Sequence, residues 1–225
     1  MSRLKPLAAL IAITLASAAA AATIAPQLLL DVDFAPRDIA KVDIGDFHFL
    51  PGQKAPIHTH AAPAIGYVSK GTIYYQVEGQ PAQILKAGDA FFEPVGPRIL
   101  HFDNASATQE AVFTDFNLQQ AGEPFIVFEH APTEKIDRRT FPTAPIVAAA
   151  THGATGQSER LTGLSTRHTD QALLGYVATG SLSVQVNGGA AQRVAQGQTW
   201  SAPAGASVAL DGGKGATLVT FTLKR

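Results

Sequence analysis

The chain contains no cysteine, and only one methionine and one tryptophan, among its 225 residues. Disulfides, thiolate ligands and a cysteine nucleophile are therefore excluded. Charge is sparse and balanced, with 17 Lys and Arg against 18 Asp and Glu. Nothing in that balance resembles a basic groove for nucleic acid. Beyond residue 22 no run is apolar enough for a spanning helix, which takes about 20 such residues, so no stable membrane insertion is expected. A Gly-x-Ser-x-Gly elbow, a phosphate-cradling Gly-rich loop opening a helix and a His-Glu-x-x-His motif are missing as well.

The first residues read differently from the rest. Arg3 and Lys5 precede an apolar stretch, Leu7 to Ala22, that ends in an alanine run. A basic start, a short apolar segment and an Ala-x-Ala zone make a secretory signal peptide, expected over 1–22. The mature protein is then expected to be periplasmic or secreted. Removing those two cations leaves 17 − 2 = 15 basic against 18 acidic side chains.

What is abundant is hydrophobic residue, at 46%, together with 20 Gly and 14 Pro between short runs of Val, Ile, Phe, Tyr and Thr. That punctuation predicts many short strands joined by turns, including Ile73 to Val77, Ala82 to Leu85, Ala90 to Glu93 and Ala111 to Asn117. Gly66 to Gly96 also repeats as Gly175 to Gly205, at a constant offset of 109 with 12 of 31 positions identical. An ungapped match across three turns indicates two copies of one β-fold. The shared glycines fall at turns expected to need positive φ. The predicted organisation is a signal peptide (1–22), a first domain (23–130), a charged, Pro-containing linker (131–145) and a second domain (146–225).

Chemistry concentrates in the first copy. His58 and His60 are two apart, so on a strand both imidazoles project from one face. A third histidine on another strand, His101, could close a set of nitrogen donors around a metal. The pattern Gly52-x5-His58-x-His60, then Gly71, then Gly88-x5-Pro94-x-Gly96 with His101 and Asn104 beyond, resembles the two motifs of the cupin family. The resemblance covers about residues 45–118 and extends through the repeat to a degenerate second copy at about 165–225. It implies an all-β bicupin, two tandem double-stranded β-helix (jelly-roll) barrels. It also implies that His58, His60 and His101 bind a divalent metal, one of Fe, Mn, Zn, Ni or Cu. Two departures stand out. The family's glutamate ligand falls at Ala64, and the second motif carries two extra residues before His101. Glu93, two past Phe91, offers a carboxylate in place of the missing one, as ligand or general base. Tyr67, Tyr75, Phe91 and Phe92 are expected to line the cavity. In the second copy Arg167 and Thr169 stand where His58 and His60 do, and Leu210 where His101 does, so that half is read as structural. His168 and Asp170 lie nearby but out of phase.

The function expected from these residues is a metal-dependent enzyme of oxygenase, lyase or isomerase type, acting on a small organic molecule. A non-catalytic binder of a small ligand or metal, with a structural second barrel, is the alternative, and whether the chain is an enzyme stays open. By analogy with the family, barrels pair either between chains, as a homodimer, or within one chain through the internal duplication.

Overall fold

A computed structural model describes residues 25–141 and 146–225. The expected signal peptide and the end of the expected linker lie outside the described residues. The first half holds β1 (Gln27–Ile39), β2 (Lys41–Phe49), β3 (His58–Thr59), β4 (Ala64–Lys70), β5 (Thr72–Val77) and β6 (Gln83–Lys86). It continues with β7 (Ala90–Glu93), β8 (Ile99–Asn104), β9 (Ala111–Gln119), β10 (Val127–Phe128) and β11 (Asp137–Phe141). The second holds β12 (Ala148–Leu161), β13 (Leu164–Thr169), β14 (Leu173–Thr179), β15 (Ser181–Val186), β16 (Gln192–Ala195), β17 (Thr199–Ala202), β18 (Ala206–Asp211) and β19 (Ala216–Lys224).

Each half is a pair of facing antiparallel sheets. The first sets β11-β2-β9-β4-β7 against β10-β3-β8-β5-β6, and the second sets β1-β12-β19-β14-β17 against β13-β18-β15-β16. The fold is all-β, with two tandem double-stranded β-helix barrels. The repeat is visible in the backbone. Gly71 and Gly180 both turn with φ near +80° (77° and 80°), and a Cβ on either would press within 2.6 Å of a carbonyl oxygen. Gly66 and Gly175 are matched by a ring stacked over each bare Cα, Phe91 in one half and Trp200 in the other.

Two strands cross the expected domain boundaries. β1, at the start of the first half, pairs with β12 of the second. β11, inside the segment read as a strandless linker, pairs with β2 of the first. β1 thus completes the second half's five-stranded sheet, while β11 completes the first half's own from beyond its expected boundary. β11 (Asp-Arg-Arg-Thr-Phe) has no apolar alternation because its first four residues are exposed. Backbone hydrogen bonds hold such an edge strand, and they leave no trace in side-chain pattern.

The barrels pack back to back. Ile44, Ile65, Phe116 and Leu118 from the first and Ile146, Leu174, Val219, Phe221 and Leu223 from the second share one buried cluster. Consequently β9 is buried at every position. Phe116 and Leu118 face the other barrel, while Phe113 belongs to the first barrel's own core. By the period of two, Asp115 and Asn117 share the face of Phe113.

Candidate metal centre

Strand β3 is only His58–Thr59, and Pro56 just before it cannot donate to a ladder. His58 and His60 nonetheless point the same way, into the first barrel, and both are buried. Glu93 closes β7 directly across from Ala64. Its carboxylate oxygens lie 3.6 Å from His58 Nε2 and 3.3 Å from His60 Nε2. One ligand atom from each of the three lies within 4.8 Å of the others, the one such group among the described residues.

These residues fit a divalent ion. His58 Nδ1 sits 2.7 Å from the Pro56 carbonyl, which can only accept. The proton is therefore on Nδ1, and the Nε2 lone pair faces inward, the usual arrangement behind a metal-binding imidazole. His60 Nε2, Glu93 Oε1 and Asp115 Oδ1 are buried without hydrogen-bond partners. An orphan of that kind costs about 1–3 kcal/mol, and an ion would satisfy the two that belong to the donor group. Two imidazoles and one carboxylate suit first-row divalent metals.

Burial pushes the Glu93 carboxyl up, but the two imidazoles beside it outweigh that and hold it below the ordinary carboxylate range. Burial depresses His60, and the adjoining Glu93 charge more than reverses the effect. Asp115, buried and near the Glu93 charge, is raised well above the usual range. The two carboxyls of one dry site are thus shifted in opposite directions by their surroundings.

His58, His60, Glu93 and Asp115 line a chamber of about 30 Å³ with Phe47, Phe49, Phe102, Phe113, Ile126, Phe128 and Ile136. That holds an ion and about one water, since a water occupies at least about 10–15 Å³ on this measure. Phe47, Ile126, Phe128 and Ile136 also line an outer groove of about 500 Å³. This apolar partition is supplied largely by residues 121–136, a strap laid across the barrel mouth.

The expected third histidine does not join the cluster. His101 Nδ1 bonds Asp103 at 2.9 Å, its ring leans on Tyr74, and its side chain is 41% exposed. Pairing shifts register between Gln76 and Val77, leaving Leu100 as an extra residue in β8. That bulge turns His101 outward and sends Phe102 into the core. The expected cavity lining is also corrected. Tyr67 packs on Tyr176 of the other barrel. Tyr75 and Phe91 belong to the hydrophobic core, with the Tyr75 hydroxyl donating to the Phe92 carbonyl. None of the three lines the chamber.

Asp115 and Asn117 were not anticipated. Their signal was present as Asp115, Asn117 and Gln119, polar residues spaced two apart along a strand whose other face is largely apolar. In the second barrel the corresponding positions hold Arg167, Thr169, Ala202, Thr220 and Thr222. Arg167 is paired with Glu159 there, Nη1 to Oε1 at 2.8 Å. Leu210 matches Phe102 in pairing position, and His168 and Asp170 are exposed.

Residues 45–117 match the cupin domain family. They are a cupin domain. A mutant of salicylate 1,2-dioxygenase from Pseudoaminobacter salicylatoxidans is similar over 81% of this chain and 71% of its own, with TM-score 0.58 and 16% identity. AerE from Microcystis aeruginosa is similar over 86% of this chain and 99% of its own, with TM-score 0.57 and 14% identity. A dioxygenase mutant in complex with gentisate is similar over 81% of this chain and 68% of its own, with TM-score 0.56 and 15% identity. At these identities the likeness is one of fold. No curated protein sequence matches the chain. The cupin domain covers about a third of the chain, and the metal-type cluster falls within it.

Proposed function

We propose that this protein is a metal-dependent enzyme, of oxygenase type, acting on a small organic molecule. The observation that carries the reading is the buried His58/His60/Glu93 set in a small chamber beside an apolar groove. Two histidines and a carboxylate with open positions are the donor set of non-haem iron oxygenases. The dioxygenase names among the structural neighbours support the same class.

The bound ion would supply Lewis-acid or redox chemistry. The rest falls to the chain. His58 is aimed by Pro56, and Glu93 provides the charge that offsets the ion. Asp115 sets a second carboxyl beside the reacting space, its affinity for a proton raised by burial. Phe47, Ile126, Phe128 and Ile136 keep bulk water out, which strengthens every electrostatic interaction inside.

Elemental analysis of the purified protein is expected to find one ion per chain. His58→Ala and Glu93→Gln should each weaken metal binding by more than about 100-fold, beyond the range of outer-sphere partners. His101→Ala should leave it intact. Loaded with iron, the protein should consume O₂ with some member of a panel of small phenolic and keto acids. A folded protein that takes up no metal would sink this reading.

A further inference from the structure

We propose that Asn117 is a positioning residue that couples metal binding at His60 to release of the strap over the chamber. The proposal rests on the metal reading above and goes on to how substrate gains access.

Asn117 Nδ2 lies 3.0 Å from the Phe125 carbonyl oxygen and 3.2 Å from His60 Nδ1. A carbonyl can only accept, so the amide nitrogen must occupy that place. An amide nitrogen can only donate, so His60 Nδ1 accepts and carries no hydrogen. In a neutral imidazole the proton is then on Nε2, the atom that faces Glu93 and has no hydrogen-bond partner.

A metal needs the lone pair at Nε2, which moves the proton to Nδ1. Two donors, Nδ1–H and the Asn117 amide, would then face each other. The relief at hand is a turn of the amide that brings Oδ1, now buried and unpartnered, against Nδ1–H. That turn places two acceptors, Oδ1 and the Phe125 carbonyl, opposite one another. The strap loses one hydrogen bond and gains a repulsion in its place.

The opening is local. Glu123 stays tied to Arg37 and Gln120, Val127 and Phe128 stay paired with β3, and Lys135 stays bonded to Gln53. Between those ties lie Phe125 and Ile126, and Ile126 walls the chamber from the groove. A chamber of about 30 Å³ admits no organic molecule while that wall stands. Access would therefore be granted only where an ion is already seated.

Hydrogen exchange on metal-free and Zn²⁺-loaded protein tests this, with zinc content measured on the same samples. In the wild type, exchange over residues 122–128 should rise about fivefold on loading, the scale of one lost hydrogen bond, while β9 is unchanged. Asn117→Ala should exchange at the raised rate with or without zinc. Asn117→Leu, of similar volume and with no donor, should do the same. If a variant fails to fold, the wild-type comparison alone decides. Stoichiometric zinc with strap exchange unchanged or slowed would overturn the coupling and leave the metal site standing. No bound zinc in the wild type would overturn both.

Discussion

At the residue scale, space is the tightest constraint in both barrels. A Cβ on Gly66 would lie 2.1 Å from Phe91 Cζ and 2.6 Å from the Thr114 carbonyl oxygen. Phe91 has no room to yield, being wedged edge-on against Phe102 and Phe113. Gly66→Ala is expected to cost roughly 1–3 kcal/mol, the scale of core overpacking, and Phe91→Leu in the same chain should recover part of it. Urea unfolding of the single and double variants checks this, and additive losses would contradict it. The site obeys the same economy of space. Ala64, where the resemblance calls for a glutamate, is paired with Glu93 on one side and Asn117 on the other. The carboxylate has moved one strand across the sheet while staying in the same row, and a small residue at 64 leaves it room. Sequence comparison marks Ala64 as a loss, because the substitute is distant in the chain and adjacent only through pairing.

At the scale of elements, turn chemistry and period were legible. The repeat announced two equivalent barrels, and the strands expected at Ile73 to Val77, Ala90 to Glu93 and Ala111 to Asn117 lie within β5, β7 and β9. Two features were not legible, for different reasons. His101 was misplaced because one extra residue in β8 reverses facing, and alternation says nothing about where a bulge falls. β11 was missed because its strand identity lies in the partner it pairs with. The partner of β1 was hidden on the same account, for it lies in the second half. Its pairing with β12 shifts register between Asp33 and Arg37, where Pro36 stands, yet it still covers the β12 edge. A chain beginning at Lys41 would leave that edge bare, and open edges recruit other chains. Such a truncation is expected to elute from a sizing column as oligomers or aggregate at concentrations where the full chain runs as one species. An unchanged elution profile would argue against this role for β1.

At the scale of the whole molecule, the two barrels share one buried core and are expected to unfold together. Phe116 and Phe221 meet across the interface with ring centroids 5.5 Å apart, in a cluster drawn from both halves. Calorimetry should therefore show a single transition whose calorimetric and van't Hoff enthalpies agree. Phe221→Ala should lower stability by about 3–5 kcal/mol without splitting it. Two resolved transitions would mean the barrels unfold separately. The second barrel carries none of the metal donors, yet the first is backed by it and shares a core with it.

The distant pairings of β1 with β12 and of β11 with β2 also set an order of events during synthesis. The first barrel's sheet cannot be finished until residue 141 has left the ribosome. Meanwhile β1, with Leu28 to Leu30 uncovered, waits for β12, more than 100 residues behind it. A nascent chain that must keep its leading strand unengaged for so long is one whose yield should depend on holdase chaperones more than on its final stability.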